Sequence, residues 1–127
     1  MKNIVKLVVI GLLMCAISAC KPDNTKTDVS ALTKNINNDH IYFFYQTSCP
    51  HCHHAVDYIS QKYPNLKMIS LDVRTQANFN LFLKCANKFK LDQSALGTPL
   101  ICMGNHYIMG WSDADKVKFD LYVQQFK

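Results

Sequence analysis

The chain has 127 residues, room for one domain, and 49% of them are hydrophobic, which suffices for one modest core. Its net charge of +5 is mild and its basic residues are scattered, with no basic stripe interleaved with aromatics, so nucleic acid is not an expected partner. No internal repeat or low-complexity stretch divides it.

Met1–Lys6 carries two lysines, and Leu7–Ile17 is an apolar run of signal-peptide length, too short to span a bilayer comfortably. It ends in Ile17-Ser18-Ala19-Cys20, which resembles the lipobox of bacterial lipoproteins. The resemblance implies cleavage before Cys20 and lipid on its sulfur. A plain secretory signal cleaved after Ala19, or an uncleaved anchor, are the other readings. Lys21 stands where lipoprotein rules put an Asp for inner-membrane retention. The expectation is therefore an exported protein on the periplasmic face of a bacterial membrane, the outer one favoured. Residues 1–19 form the signal peptide and take Cys15 away, and Cys20 takes lipid. Cys49, Cys52, Cys85 and Cys102 remain, an even number in a compartment where disulfides persist.

Residues 20–38 are expected as a tether, polar from Lys21 to Asp28 and then carrying Val29, Leu32 and Ile36 at helical spacing. That spacing predicts a short leading helix over 29–37. The folded domain spans 39–127. Ile41–Tyr45 is an apolar, β-branched and aromatic run, hence a buried strand. Thr47 and Ser48 turn the chain, and Cys49 stands where a helix begins, because Pro50 suits the first helical position. Free N–H groups and the positive dipole end lie there, and they favour a thiolate, the reactive form of cysteine. Cys52 follows about one turn on, so the two sulfurs can meet. The layout is that of a redox dithiol.

The first helix runs to about Lys62, with Ala55, Val56 and Ile59 as its core face. Leu66–Val73 alternates as a second strand, and the helical connection makes the two strands parallel. Thr75–Lys90 is a helix with a stripe of Phe79, Phe82, Leu83, Ala86 and Phe89. Gly97-Thr98-Pro99 breaks the chain before a strand at Leu100–Met103. Gly104-Asn105 then turns it into a hairpin with His106–Met109. Ser112 caps a last helix to about Phe126, with Asp113 and Asp115 in its first turn. The fold class is α/β: a four-stranded mixed β-sheet flanked by helices on both faces.

These elements, in this order, resemble the thioredoxin superfamily, and the compact version resembles glutaredoxin most. Cys49-Pro50-His51-Cys52 after a strand carries the resemblance, and it has the dipeptide of the DsbA family of periplasmic oxidases. Gly97-Thr98-Pro99 before a strand stands where the superfamily has a cis-proline facing the disulfide. Gly110-Trp111-Ser112-Asp113 resembles the turn with which glutaredoxins hold glutathione. The resemblance implies that Pro99 keeps metal off the dithiol and that Thr98 presents its backbone to an extended substrate. Thioredoxin has a buried acid six residues before the first cysteine, and here that position is Phe43. Within these residues neither a DsbA-like helical insertion nor an isomerase-like dimerisation domain is expected.

Cys49 is the expected nucleophile and Cys52 the residue that resolves the mixed disulfide. His51 between them either stabilises the Cys49 thiolate or is simply an exposed side chain. His53 and His54 read as helix surface. With the preceding residues, His53 also satisfies C-x-x-C-H, the c-type haem motif, with Met103 or Met109 as axial candidates; the strand before the motif argues against haem. Cys85 and Cys102 are either inert buried thiols or a second bridge. Trp111 either covers the cysteine pair or plugs the sheet edge, and the second is the expectation. The expected function is disulfide exchange with protein thiols, in the oxidising or isomerising direction, with no cofactor and no metal. A reductase fed by a membrane redox partner, or a copper-binding lipoprotein using Cys49 and Cys52, are the alternatives. Use of glutathione would need Ser112 and Asp113 to grip the tripeptide.

Overall fold

The computed structural model describes residues 33–127. The signal, Cys20 and residues 29–32 of the expected leading helix lie outside them. The described end of that segment is turn and bend, and it docks on the domain. Tyr42 Oη accepts the Asn37 N–H (3.1 Å) and donates to the Asn35 carbonyl (3.2 Å). Burial raises the Tyr42 phenol above its usual range, against the Asn37 bond, which lowers it. Lys84 reaches the Lys34 carbonyl at 2.6 Å.

The central strand is β1 (Ile41–Tyr45), whose first four residues are at most 1% exposed. A strand apolar on both faces belongs in the middle of a two-faced sheet. It pairs in parallel with β2 (Met68–Asp72) and antiparallel with β3 (Leu100–Met103), which forms a hairpin with β4 (His106–Met109). The strand order is β2-β1-β3-β4. The sheet is thus mixed and four-stranded.

The two-residue period of β1 and β3 assigns the layers. Ile41, Phe43, Ile101 and Met103 point to one face, where α1 (Pro50–Lys62) and α3 (Asp113–Tyr122) cover them with Ala55, Ile59 and Phe119. Tyr42, Phe44, Leu100 and Cys102 point to the other, under Leu81, Phe82 and Cys85 of α2 (Gln76–Lys88). Trp111 is not an edge plug. It is 7% exposed and packs in the first layer, its ring 5.8 Å from Tyr58 and 6.0 Å from Phe119. In the second layer a disulfide joins Cys85 of α2 to Cys102 of β3, Cα atoms 6.4 Å apart, both buried.

Several boundaries differ from the sequence expectation. β2 begins at Met68, because the Leu66 N–H closes a turn onto the Tyr63 carbonyl. A 3-10 turn at Gln93–Ala95, capped by the Asp92 carboxylate, precedes Gly97. The last helix tightens to 3-10 geometry at Val123–Phe126. Ser112 is the N-cap residue, but its hydroxyl donates to Asp115 (2.7 Å) and makes no side-chain cap bond to the backbone.

One polar cluster clasps α1 to α3. Asp120 accepts hydrogen bonds from Tyr58 (2.8 Å), Tyr63 (2.6 Å) and Lys62 (2.6 Å). Burial pushes the Asp120 carboxyl up, but those donors outweigh it and hold the group below the usual carboxylate range. Burial, then the bond to Asp120, pushes the Tyr63 phenol up to about 12.

Candidate active site

Strand β1 delivers the chain to the end of the sheet, and Gln46–Ser48 turns it into α1. Cys49 is the N-cap residue, extended at φ −90° and ψ 108°, with Pro50 at the first helical position. Its Sγ accepts the Cys52 N–H at 3.2 Å, the role a Ser or Asp oxygen plays at other helix starts. A sulfur placed there gains from the free amides and the dipole, and gains most as thiolate.

Cys49 and Cys52 are joined as a disulfide, with Cα atoms 5.3 Å apart. Their surroundings differ. Cys49 is half-buried, whereas Cys52 is 3% exposed and faces the core of the first layer. Of the two sulfurs, Cys49 is thus the more accessible from outside.

The loop before β3 completes the site. Thr98–Pro99 is a cis peptide bond, and Pro99 is buried. The Thr98 carbonyl oxygen lies 3.4 Å from Cys49 Sγ, a distance at which a reduced thiol would donate to it. Thr98 also lines an open cleft of about 590 Å³, together with Gln46, Val73, Phe79, Phe82, Gln93 and Leu96. Phe79, expected in the core stripe, is 39% exposed because it forms a wall of this cleft.

His51 is exposed, and among the described residues it forms no hydrogen bond to Cys49. The two following histidines diverge, as neighbours on a helix must at about 100° per residue. His53 lines a cavity of about 220 Å³ with Cys52, Phe43, Val56, Asp57 and Ser70, and its Nε2–H donates to the Thr47 carbonyl (2.8 Å). Val56, expected in the core, stands exposed at this cavity. His54 instead faces an open cleft between α1 and the Trp111–Asp113 turn. The polar groups of that turn are engaged: Ser112 with Asp115, and Asp113 with Lys116 (2.8 Å), which holds the Asp113 carboxyl below its usual range. Among the described residues no three His, Cys, Asp or Glu side chains converge as a metal site.

Asp57 and the cleft beside Thr98 are absent from the sequence-based expectation. Asp57 carried a signal, its i,i+4 spacing from His53, which puts the two on one face. The cleft carried none, because four separate stretches of the chain build it.

No protein-family model matches the chain, and no curated protein does. Solved structures are similar to it at low identity. A glutaredoxin from Archaeoglobus fulgidus matches with a TM-score of 0.51 and 10% identity, over 68% of this chain and 87% of that one. A buckwheat glutaredoxin in complex with glutathione matches with a TM-score of 0.52 and 13% identity, over 77% and 86%. The four-stranded mixed sheet, its three helices and these two structural likenesses together establish the thioredoxin-like α/β fold, with a Cys49–Cys52 pair at the start of its first helix.

Proposed function

We propose that this protein is a thiol–disulfide oxidoreductase that exchanges disulfides with protein thiols through Cys49 and Cys52. The observation that carries this is the asymmetry of the pair: one sulfur half-exposed on helix-terminal amides, its partner buried behind it. In the oxidising direction a substrate thiolate attacks Cys49 Sγ, breaking the Cys49–Cys52 bond and leaving Cys52 as thiolate. A second substrate thiolate then attacks the mixed disulfide, and Cys49 leaves reduced. Two electrons pass from two substrate thiols to the pair. In the reverse direction Cys49 attacks and Cys52 resolves.

Thr98 is the proposed docking edge. Its backbone faces the reacting sulfur, so an extended peptide pairing there would bring its own cysteine to Cys49. The cleft beside Thr98, where Val73, Phe79 and Leu96 stand with Gln46 and Gln93, would then take a flanking side chain of the substrate. Pro99 supplies no N–H and would leave that edge to the substrate.

The proposed direction is oxidation or isomerisation. Anything that stabilises the Cys49 thiolate makes the disulfide a stronger oxidant, and the Cys52 N–H and the helix terminus both act that way; a protonated His51 would add to them. Equilibration of the purified domain with glutathione redox buffers tests this. The expected potential is less negative than about −200 mV; a value near about −270 mV would turn the assignment to a reductase fed by a membrane donor.

The lipid anchor on Cys20 and the periplasmic location are proposed from the Ile17–Cys20 stretch. Incorporation of labelled fatty acid, lost in Cys20→Ser, is the expected result. An unlabelled protein in the soluble envelope fraction would leave a plain secretory signal.

A further inference from the structure

The resolving cysteine needs somewhere to put its proton. Cys52 is 3% exposed among apolar neighbours, surroundings that oppose ionisation of a thiol. Phe43, buried on β1 opposite Ser70 of β2, offers no carboxylate to help. Yet Cys52 is not sealed off. It borders the cavity of about 220 Å³ that opens to solvent between α1 and the β1–β2 edge, and His53 and Asp57 line the same cavity.

The histidine is set up in one particular way. A carbonyl oxygen can only accept, so the 2.8 Å contact to Thr47 fixes the proton on Nε2 and leaves Nδ1 as the basic nitrogen. The same carbonyl steadies the ring when it takes a second proton. Asp57, one turn further along α1, borders the same space, as it also borders the cleft beside His54. The titratable groups that line this space are Cys52, His53 and Asp57 of α1 and Tyr45 of β1; Gln46, Thr47 and Ser70 are polar but do not titrate.

We infer that His53, held by the Thr47 carbonyl and supported by Asp57, is the proton relay for Cys52, acting through water in this cavity. The inference rests on the dithiol reading above. In the resolving step the Cys52 S–H proton passes by way of water to His53 Nδ1, and the Cys52 thiolate attacks Cys49 Sγ of the mixed disulfide. The Cys49–Cys52 bond forms, the bond to the substrate sulfur breaks, and the substrate leaves as thiolate, to which the proton is finally delivered. In the opposite direction His53 returns a proton to the Cys52 thiolate.

Stopped-flow mixing of protein reduced at Cys49 and Cys52 with one equivalent of dithiobis-nitrobenzoate reads the steps separately. The first thionitrobenzoate released reports Cys49 attack, and the second reports Cys52. For His53→Gln, whose amide can still donate to Thr47, the second phase should slow roughly 10- to 100-fold near pH 7. The deficit should shrink as the pH is raised and more of the thiol ionises without help. Asp57→Asn should slow it less, and His54→Gln, which faces the neighbouring cleft and not this cavity, should match wild type. A His53→Gln second phase equal to wild type near pH 7, or slowed equally at every pH, overturns the relay alone. A wild-type protein with no second phase overturns the dithiol reading with it. Urea denaturation of each variant identifies any that fail to fold; for those His53→Asn replaces Gln, with the same expected and overturning results.

Discussion

The sulfur of Cys49 sits 3.4 Å from the carbonyl oxygen of Thr98, although 49 residues separate them in the chain. The contact exists because β1 and β3 are adjacent and antiparallel, with Phe44 opposite Leu100. The chain after β1 and the chain before β3 therefore end at the same edge of the sheet. A substrate held along Thr98 would be presented to the sulfur best placed to react.

The two cysteines of the proposed site should fail differently. Cys49→Ala is expected to reduce disulfide exchange to background, since no exposed sulfur of the pair remains. Cys52→Ala should still form the first bond and then stall. Incubation with a disulfide-containing peptide, followed by mass spectrometry without reductant, should show a stable peptide adduct on Cys52→Ala and none on Cys49→Ala. An adduct on both would reverse the assigned roles.

The Cys85–Cys102 bridge lies wholly in the layer between α2 and the sheet, out of reach of substrate. Its expected role is stability. A sequence separation of 17 is worth roughly 3 kcal/mol in the loop-entropy account. The Cys85→Ala/Cys102→Ala variant should therefore melt roughly 10–20 °C lower, while the midpoint of the Cys49/Cys52 couple barely moves. Alkylation of denatured, unreduced protein should label neither residue.

Loss of the Asp120 clasp should loosen α1 from α3. Asp120→Ala removes three charge-assisted bonds at a carboxylate whose side chain is 30% exposed. Partial exposure discounts their worth to about 1–2 kcal/mol in urea unfolding. The pH dependence has two signs. The Asp120 carboxyl is held low in the fold, so its contribution is present above the ordinary carboxylate range near pH 4 and is lost as pH falls through the lowered folded value. The Tyr63 phenol is held high, so its contribution is present below about pH 10 and is lost as pH rises towards about 12. Asp120→Ala should flatten the acid limb and Tyr63→Phe the alkaline one.

Gly104 turns the β3–β4 hairpin at φ +61°. A Cβ there would meet Gln125 Nε2 at 3.0 Å and the Asn38 carbonyl at 3.2 Å, and Gln125 already donates to the Met103 carbonyl. Gly104→Ala should cost about 1–2 kcal/mol, from the left-handed backbone and the displaced amide together. A thermal melt unchanged from wild type would show that the turn relaxes.

Local pattern was enough for much of this protein. The two-faced apolar run Ile41–Tyr45 specified a central strand, Pro50 after Cys49 a helix start on a sulfur, and Gly104-Asn105 a hairpin. Each is decided within a few residues, by side-chain period, proline's missing N–H and glycine's freedom at positive φ. What the neighbours of a side chain are was decided only by packing. Nothing local distinguishes Val56 or Phe79 from their buried neighbours; each is left exposed because a cavity or cleft opens beside it. The same holds for Asp120 meeting Tyr58 and Tyr63, Trp111 entering the core and Cys85 meeting Cys102. Such contacts join residues far apart in sequence, and the sheet order β2-β1-β3-β4 alone sets which of them come within reach.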